Sequence, residues 1–273
     1  MSWRKFWRFF RRTGQAKVGL ALGGGSMRGL ANVGVLKTLA KYQIPIHCIA
    51  GTSAGSIAAA LWAAGLNAEA IEEIALSIDW LKIARISFNL QGLFDPVKLQ
   101  KYLAERLPVQ YFRETKIPLS ISASDLISGQ EYVFERPEEE IALAVAASCS
   151  VPGVFTPTKY KEHYLVDGCL VNNIPLSTLA KHQPDVYIGV NVISRQPMPS
   201  LPQNLVQIFS RGYDIYELAN MERYARYNPI MIEPLREYIP PAVKPGKDFY
   251  HKLIAAGETE TESTIDRIKR AVG

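Results

Sequence analysis

The sequence predicts an α/β fold with a mostly parallel sheet covered by helices, and three features carry that expectation. Residues 17–22 and 44–50 are apolar runs. Each is followed by a glycine-bearing turn and then by a helical stretch, which makes two consecutive strand–turn–helix units. Residues 186–192, VYIGVNV, form an unbroken apolar run of the kind needed by a strand buried on both faces. A length of 273 residues and an apolar fraction of 48% suit a globular chain able to bury a large core. Residues 15–273 are read as one domain.

The first element is a separate one. Trp3, Phe6, Trp7 and Phe10 follow helical spacing on one face, and Arg4, Arg8 and Arg11 follow it on another. Residues 1–14 are therefore expected to form a basic, aromatic amphipathic helix suited to the headgroup boundary of an anionic membrane, or else a strap packed on the body of the protein.

The first strand, 17–22, leads into a glycine-rich turn at 23–29 and a helix to about residue 42. The second, 44–50, leads into a turn at 51–53 and a small-residue helix to about 64. A helix follows at 68–78. Residues 79–95 mix large apolar groups with Arg85, Asn89 and Gly92 without a clean period and are read as a lid over an apolar cleft.

Further helices are expected at 97–107 and 138–147, two strands within 117–135, a hairpin at 159–166 and a short helix at 175–181. The proline-bearing segment 194–203 reads as a surface connection. Helical patches after residue 204 suggest no chemistry.

Composition narrows the function classes. Cys48, Cys149 and Cys169 are too few and too scattered for a disulfide framework, and no Cys/His pair has zinc-ligand spacing. This points to a reducing compartment, with the protein in the cytoplasm or on the cytosolic face of a membrane, and to no metal or cofactor. No apolar run reads as a membrane span. Residues 1–68 hold nine Lys/Arg and no Asp or Glu, while the remainder holds 22 basic against 26 acidic residues. Such a one-sign block suits an anionic partner. The strict helical spacing of its aromatics fits a lipid surface better than a nucleic-acid groove, so no nucleic acid is expected.

Gly51-Thr52-Ser53-Ala54-Gly55 matches G-x-S-x-G between a strand and a helix, the setting in which a sharp turn exposes a nucleophilic serine. The second glycine-rich turn, Gly23 to Gly29, fits neither nucleotide-binding pattern. Its glycine spacing is one residue too long for a dinucleotide fingerprint, the first carboxylate is Glu69, and no Lys-Ser or Lys-Thr follows. A loop of bare N–H groups serving an oxyanion remains, beside the plainer reading of a tight packing turn. None of His47, His163, His182 or His251 stands in a context that marks it as the base. Asp167, leaving a strand into Gly168, is the better candidate.

Together these segments resemble the patatin-like phospholipase family. The similarity lies in ALGGGSMRGLANVGVLKTL, GTSAGS and VDGCLVNNIP, with SASDLISGQEYVF and AASCSVPGVFTP as further blocks, over roughly residues 17–193. The resemblance implies a three-layer fold and a Ser53–Asp167 dyad without histidine or metal. It also implies an oxyanion loop of Gly24, Gly25 and Ser26, a nucleophile elbow framed by Gly51 and Gly55, and an aspartate motif continuing through Gly168 and Cys169.

Arg28 is expected to anchor the loop or to meet a substrate phosphate. Ser26 and Cys169 depart from the family's usual glycine and its usual Gly or Ala. Cys169 is expected to narrow the space beside the base or to make the site sensitive to oxidation. The implied function is hydrolysis of a lipid acyl ester at a membrane surface, the rival being a lipid-binding or regulatory protein that keeps the fold but hydrolyses little.

Overall fold

The computed structural model describes residues 16–78, 92–239 and 246–273. The amphipathic segment 1–14 lies outside the described residues, as does most of the expected lid at 79–95.

The chain runs β1 (Val18–Leu22), a 3-10 turn (Ser26–Leu30), α1 (Ala31–Lys41), β2 (Ile46–Thr52), α2 (Ala54–Ala63) and α3 (Ala68–Ser77). It continues through β3 (Gly92–Phe94), α4 (Val97–Ala104), β4 (Leu119–Asp125), β5 (Glu131–Phe134), α5 (Ile141–Ser148) and β6 (Gly153–Phe155). Then come β7 (Thr158–Tyr160), β8 (His163–Asp167), α6 (Leu176–Leu179), β9 (Val186–Val190), α7 (Leu205–Ala219), β10 (Ile230–Ile232) and α8 (Lys247–Val272).

The central sheet has the order β10-β9-β1-β2-β4, all parallel, extended beyond β4 by antiparallel strands. β1 and β2 are buried along their whole length, as parallel strands covered on both faces must be. Leu20 and Leu22 of β1 enter the large core beneath α1, α2 and α3, whereas Ala21 points to a smaller cluster with Ile174, Leu176 and Leu179. The sheet is thus the middle of three layers. The end of the expected lid, 92–94, is a short strand paired with β6.

The registers on β4 decide where the ends of β2 and β8 meet. β2 runs parallel to β4 and pairs Thr52 with Ser122. β8 runs antiparallel and pairs Asp167 with Ala123. Because β5 occupies the opposite edge of β4 across Ile121–Ser124, β2 and β8 must share the remaining edge. They approach along it from opposite directions, and their C-terminal ends abut.

α8 packs across α1 with the backbones in contact: a Cβ at Gly257 would lie 2.0 Å from Ala31 O, and one at Gly34 would lie 2.0 Å from Ile254 O. Glycine is required at both positions because the helices cross closer than side chains allow.

Candidate active site

Ser53 stands at the turn between β2 and α2 with φ 51° and ψ −127°. A non-glycine residue in this region costs about 1–3 kcal/mol and persists only where its surroundings impose it. The imposition is visible. A Cβ on Gly51 would meet Gly55 O at 2.6 Å, and one on Gly55 would meet Leu22 O at 2.2 Å, so both glycines permit a turn that side chains would block. The Ser53 N–H donates to Ser148 Oγ at 2.8 Å, and Ser148 Oγ donates to Ser122 O at 2.6 Å. Ser53 O accepts from both the N–H and the hydroxyl of Ser56.

The head-to-head meeting of β2 and β8 brings Asp167 to this turn. Ser53 Oγ donates to Asp167 Oδ2 at 2.6 Å, and the Cys169 N–H donates to Asp167 Oδ1 at 2.9 Å. Both side chains are buried, Ser53 at 6% exposure and Asp167 at 1%. Burial raises the Asp167 carboxyl to about 6, against the pull of the Ser53 and Cys169 hydrogen bonds. Gly168 is needed for the approach, since a Cβ there would lie 2.3 Å from Ser122 O.

Among the described residues no hydrogen bond joins a histidine to Ser53 or Asp167. His47 Nδ1 accepts from the Val18 N–H, and His163 pairs with Asp125. The thiol of Cys169 is pushed well up, by burial first and then by the Asp167 carboxylate.

The glycine-rich loop lies against the serine: a Cβ at Gly24 would be 2.9 Å from Ser53 Cβ, and one at Gly29 would be 2.4 Å from Ala54 Cβ. The Gly24 N–H, expected among the free donors, donates instead to Asn173 Oδ1 at 3.0 Å. The N–H groups of Gly25 and Ser26 have no hydrogen-bond partner among the described residues. Ser26 has φ 56°, a left-handed conformation that explains why glycine suits this position and why serine is strained there.

Arg28, expected to anchor the loop or to meet a substrate phosphate, is held inside the molecule. It is 4% exposed, its Nε donates to Gly25 O at 3.1 Å, and its two terminal nitrogens donate to Asp214 of α7 at 2.8 and 2.7 Å. These bonds tie the loop to α7.

Sequence reasoning missed Asp214 and the network beside it. Glu217, also on α7, accepts from the Tyr224 hydroxyl at 2.6 Å and pairs with Arg223. Tyr224 in turn accepts from the Ile174 N–H at 3.1 Å, and Arg223 donates to Val171 O at 3.2 Å. One helix from the C-terminal part therefore holds both the glycine-rich loop and the segment after Asp167. Among the described residues no group of three His, Cys, Asp or Glu side chains is arranged to hold a metal.

A family model described as patatin-like phospholipase matches residues 20–180, and the chain belongs to that family. An uncharacterized NTE family protein of Mycobacterium tuberculosis is 32% identical over 184 residues, which is 62% of this chain and 29% of that protein. Protein YqhO of Bacillus subtilis is 28% identical over 247 residues, 77% of this chain and 84% of its own length. Lysophospholipase NTE1 of Scheffersomyces stipitis is 27% identical over 210 residues, 71% of this chain and 13% of that protein. The chain thus spans about a third of the length of the first of these relatives, and less of the last.

Among solved structures, VipD from Legionella pneumophila superposes with a TM-score of 0.63 at 13% identity, covering 93% of this chain and 67% of that one. The effector ExoU superposes at 0.53 with 12% identity, covering 93% and 53%. These likenesses establish the α/β fold, with a central sheet flanked by helices.

Proposed function

We propose that the protein is a lipid acyl hydrolase that cleaves fatty acyl esters through Ser53 and Asp167. The observation that carries this reading is the 2.6 Å hydrogen bond from a strained, buried serine hydroxyl to a buried carboxylate, beside a loop with two unpartnered N–H groups. Asp167 takes the hydroxyl proton as Ser53 Oγ attacks the ester carbonyl. The Gly25 and Ser26 N–H groups and the N-terminal end of α2 stabilise the oxyanion. Asp167 gives the proton to the departing alkoxide, takes one from the water that attacks the acyl-enzyme, and returns it to Ser53 Oγ as the acid leaves.

Family membership and the lysophospholipase among the relatives support a lipid substrate. The charge and aromatic spacing of residues 1–14 support work at an anionic membrane surface. Among the described residues no helix is long and apolar enough to cross a membrane. Release of fatty acid from mixed phosphatidylcholine and phosphatidylglycerol vesicles tests the reading. The wild type releases acid, Ser53→Ala and Asp167→Asn fall to background, and deletion of residues 1–14 weakens vesicle binding. Equal release by all three full-length proteins contradicts it.

A further inference from the structure

Large apolar side chains stand in solvent on both sides of Ser53, at the end of the sheet where it lies. β2 and β4 run parallel, so the turn after β4 rises at that same end. Its residues Leu126 and Ile127 are 53% and 76% exposed. Leu126 lies three residues past Ala123, the partner of Asp167, which puts it about 10 Å beyond the dyad along the strand at roughly 3.3 Å per residue. The turn is held in shape from below: Asp125 accepts from the Ile127 N–H and the Ser128 hydroxyl, and pairs with His163. A fixed turn with two large aliphatic groups at its tip is unfavourable in water and marks a contact surface.

The β7–β8 hairpin rises beside it. The Leu126 N–H donates to Tyr164 O at 2.8 Å, and the Tyr164 ring is itself exposed. Lys159, opposite Tyr164 in the hairpin, has its ammonium 5.9 Å from that ring, and Lys161 has its own 5.0 Å from the Tyr160 ring. Both lysines are exposed, with Glu162 between them and His163 as the only other charged or titratable group of the turn. The exposed rim of the aliphatic tip thus holds two cations against one anion.

On the other side of Ser53 in the sheet order, β9 leads into α7. Asp214 turns inward to hold Arg28, while Ile208, Phe209, Ile215 and Tyr216 face outward. They recur at i, i+1, i+7 and i+8, one stripe of the helix. Gly212 and Ala219 are the other exposed positions of that stripe, so it carries no charge. A helix with such a stripe suits the boundary of a bilayer.

We infer that this end of the molecule is the face that docks on an anionic bilayer, with Leu126 and Ile127 entering the acyl region, Lys159 and Lys161 meeting phosphates, and α7 lying along the boundary. Two observations select a bilayer over a second copy of the chain. The cations flank the aliphatic tip, as a layer of anionic headgroups above hydrocarbon requires. The apolar groups stand on separate elements to either side of the dyad, where a membrane-borne ester would be presented to it. The inference rests on the reading of a membrane lipid as substrate, and it adds a contact distinct from the one expected of residues 1–14.

The test places a nitrobenzoxadiazole fluorophore in the full-length chain at Ile127→Cys, at Phe209→Cys and, as a control on an exposed position of α4, at Ala104→Cys. The unaltered protein, taken through the same labelling, gives the background of its own cysteines. With vesicles of phosphatidylcholine and phosphatidylglycerol, emission at 127 and 209 is expected to rise and shift to the blue, while that at 104 stays as in water. In unlabelled protein, Leu126→Ser and Ile127→Ser should each weaken vesicle binding about tenfold. Lys159→Gln should weaken it about fivefold on these vesicles and leave it unchanged on phosphatidylcholine alone. Leu126→Ser and Ile127→Ser should hydrolyse a soluble short-chain ester as the wild type does.

No blue shift at 127 or at 209 with vesicles present, or an equal shift at 104, overturns the face. So does a shift that appears on raising the protein concentration without lipid, which would make the face a contact between copies. A protein whose labels enter vesicles but which hydrolyses no ester rejects the hydrolase reading and keeps the face. One that hydrolyses the soluble ester while its labels stay in water does the reverse.

Discussion

Asp167 occupies a place unfavourable to its own charge, and its chemistry follows from that. Burial lifts its carboxyl to about 6, which leaves it mostly ionised at neutral pH yet more basic than an ordinary aspartate, as a proton acceptor needs to be. Ester hydrolysis is therefore expected to rise with pH through about 6 and to level off above it, as read from kcat/KM for a soluble short-chain ester. Linkage gives the opposite sign for stability. A folded-state value raised above the ordinary 3.8 means stability that is fully present below 3.8 and lost as pH rises through about 6, about 3 kcal/mol in all. Asp167→Asn should thus be inactive but more stable than the wild type at pH 8, by up to about 3 kcal/mol in urea unfolding, with the difference vanishing near pH 4. A variant less stable at pH 8 would contradict the assignment of strain to the carboxylate.

Among the elements, α7 shows most clearly what the sequence conceals. Its charged residues Asp214 and Glu217 are buried, while Ile208, Phe209, Ile215 and Tyr216 are exposed, the reverse of an ordinary amphipathic helix. Sequence periodicity locates such a helix but assigns its faces the wrong way round, so the partner of Arg28, 186 residues away, could not be read from it. Breaking a buried pair leaves an uncompensated charge at a cost of about 3–5 kcal/mol. Asp214→Ala should therefore lower stability by that order and, by loosening Gly25, reduce kcat at least tenfold with a smaller change in KM. Unfolding and steady-state kinetics on the same preparation check both. The α1–α8 crossing is a second such element. Gly257→Val forces backbones apart at a 2.0 Å contact, and a loss of about 3 kcal/mol or more in unfolding free energy is expected.

At the scale of the whole molecule, local motifs and topology contributed differently. The two strand–turn–helix units, the serine turn and the Asp-Gly turn were legible because each depends on small residues at fixed offsets. What joins them was not. The contact between Ser53 and Asp167 is made by β4, whose register sets Thr52 and Asp167 against adjacent residues Ser122 and Ala123, and no periodicity reports which strands share an edge. The resemblance to a known family supplied that pairing. The loop donors were partly misread for a related reason. The bond from the Gly24 N–H to Asn173 spans 149 residues, and it leaves Gly25 and Ser26 as the open positions.

Activation of Ser53 by direct contact with Asp167 is tested most directly by covalent labelling with a fluorophosphonate, followed by peptide mass spectrometry. A single adduct on Ser53, forming at a rate that rises with pH through about 6 and falls at least a hundredfold in Asp167→Asn, is the predicted result. Labelling at another residue, or a rate unchanged by Asp167→Asn, would contradict it.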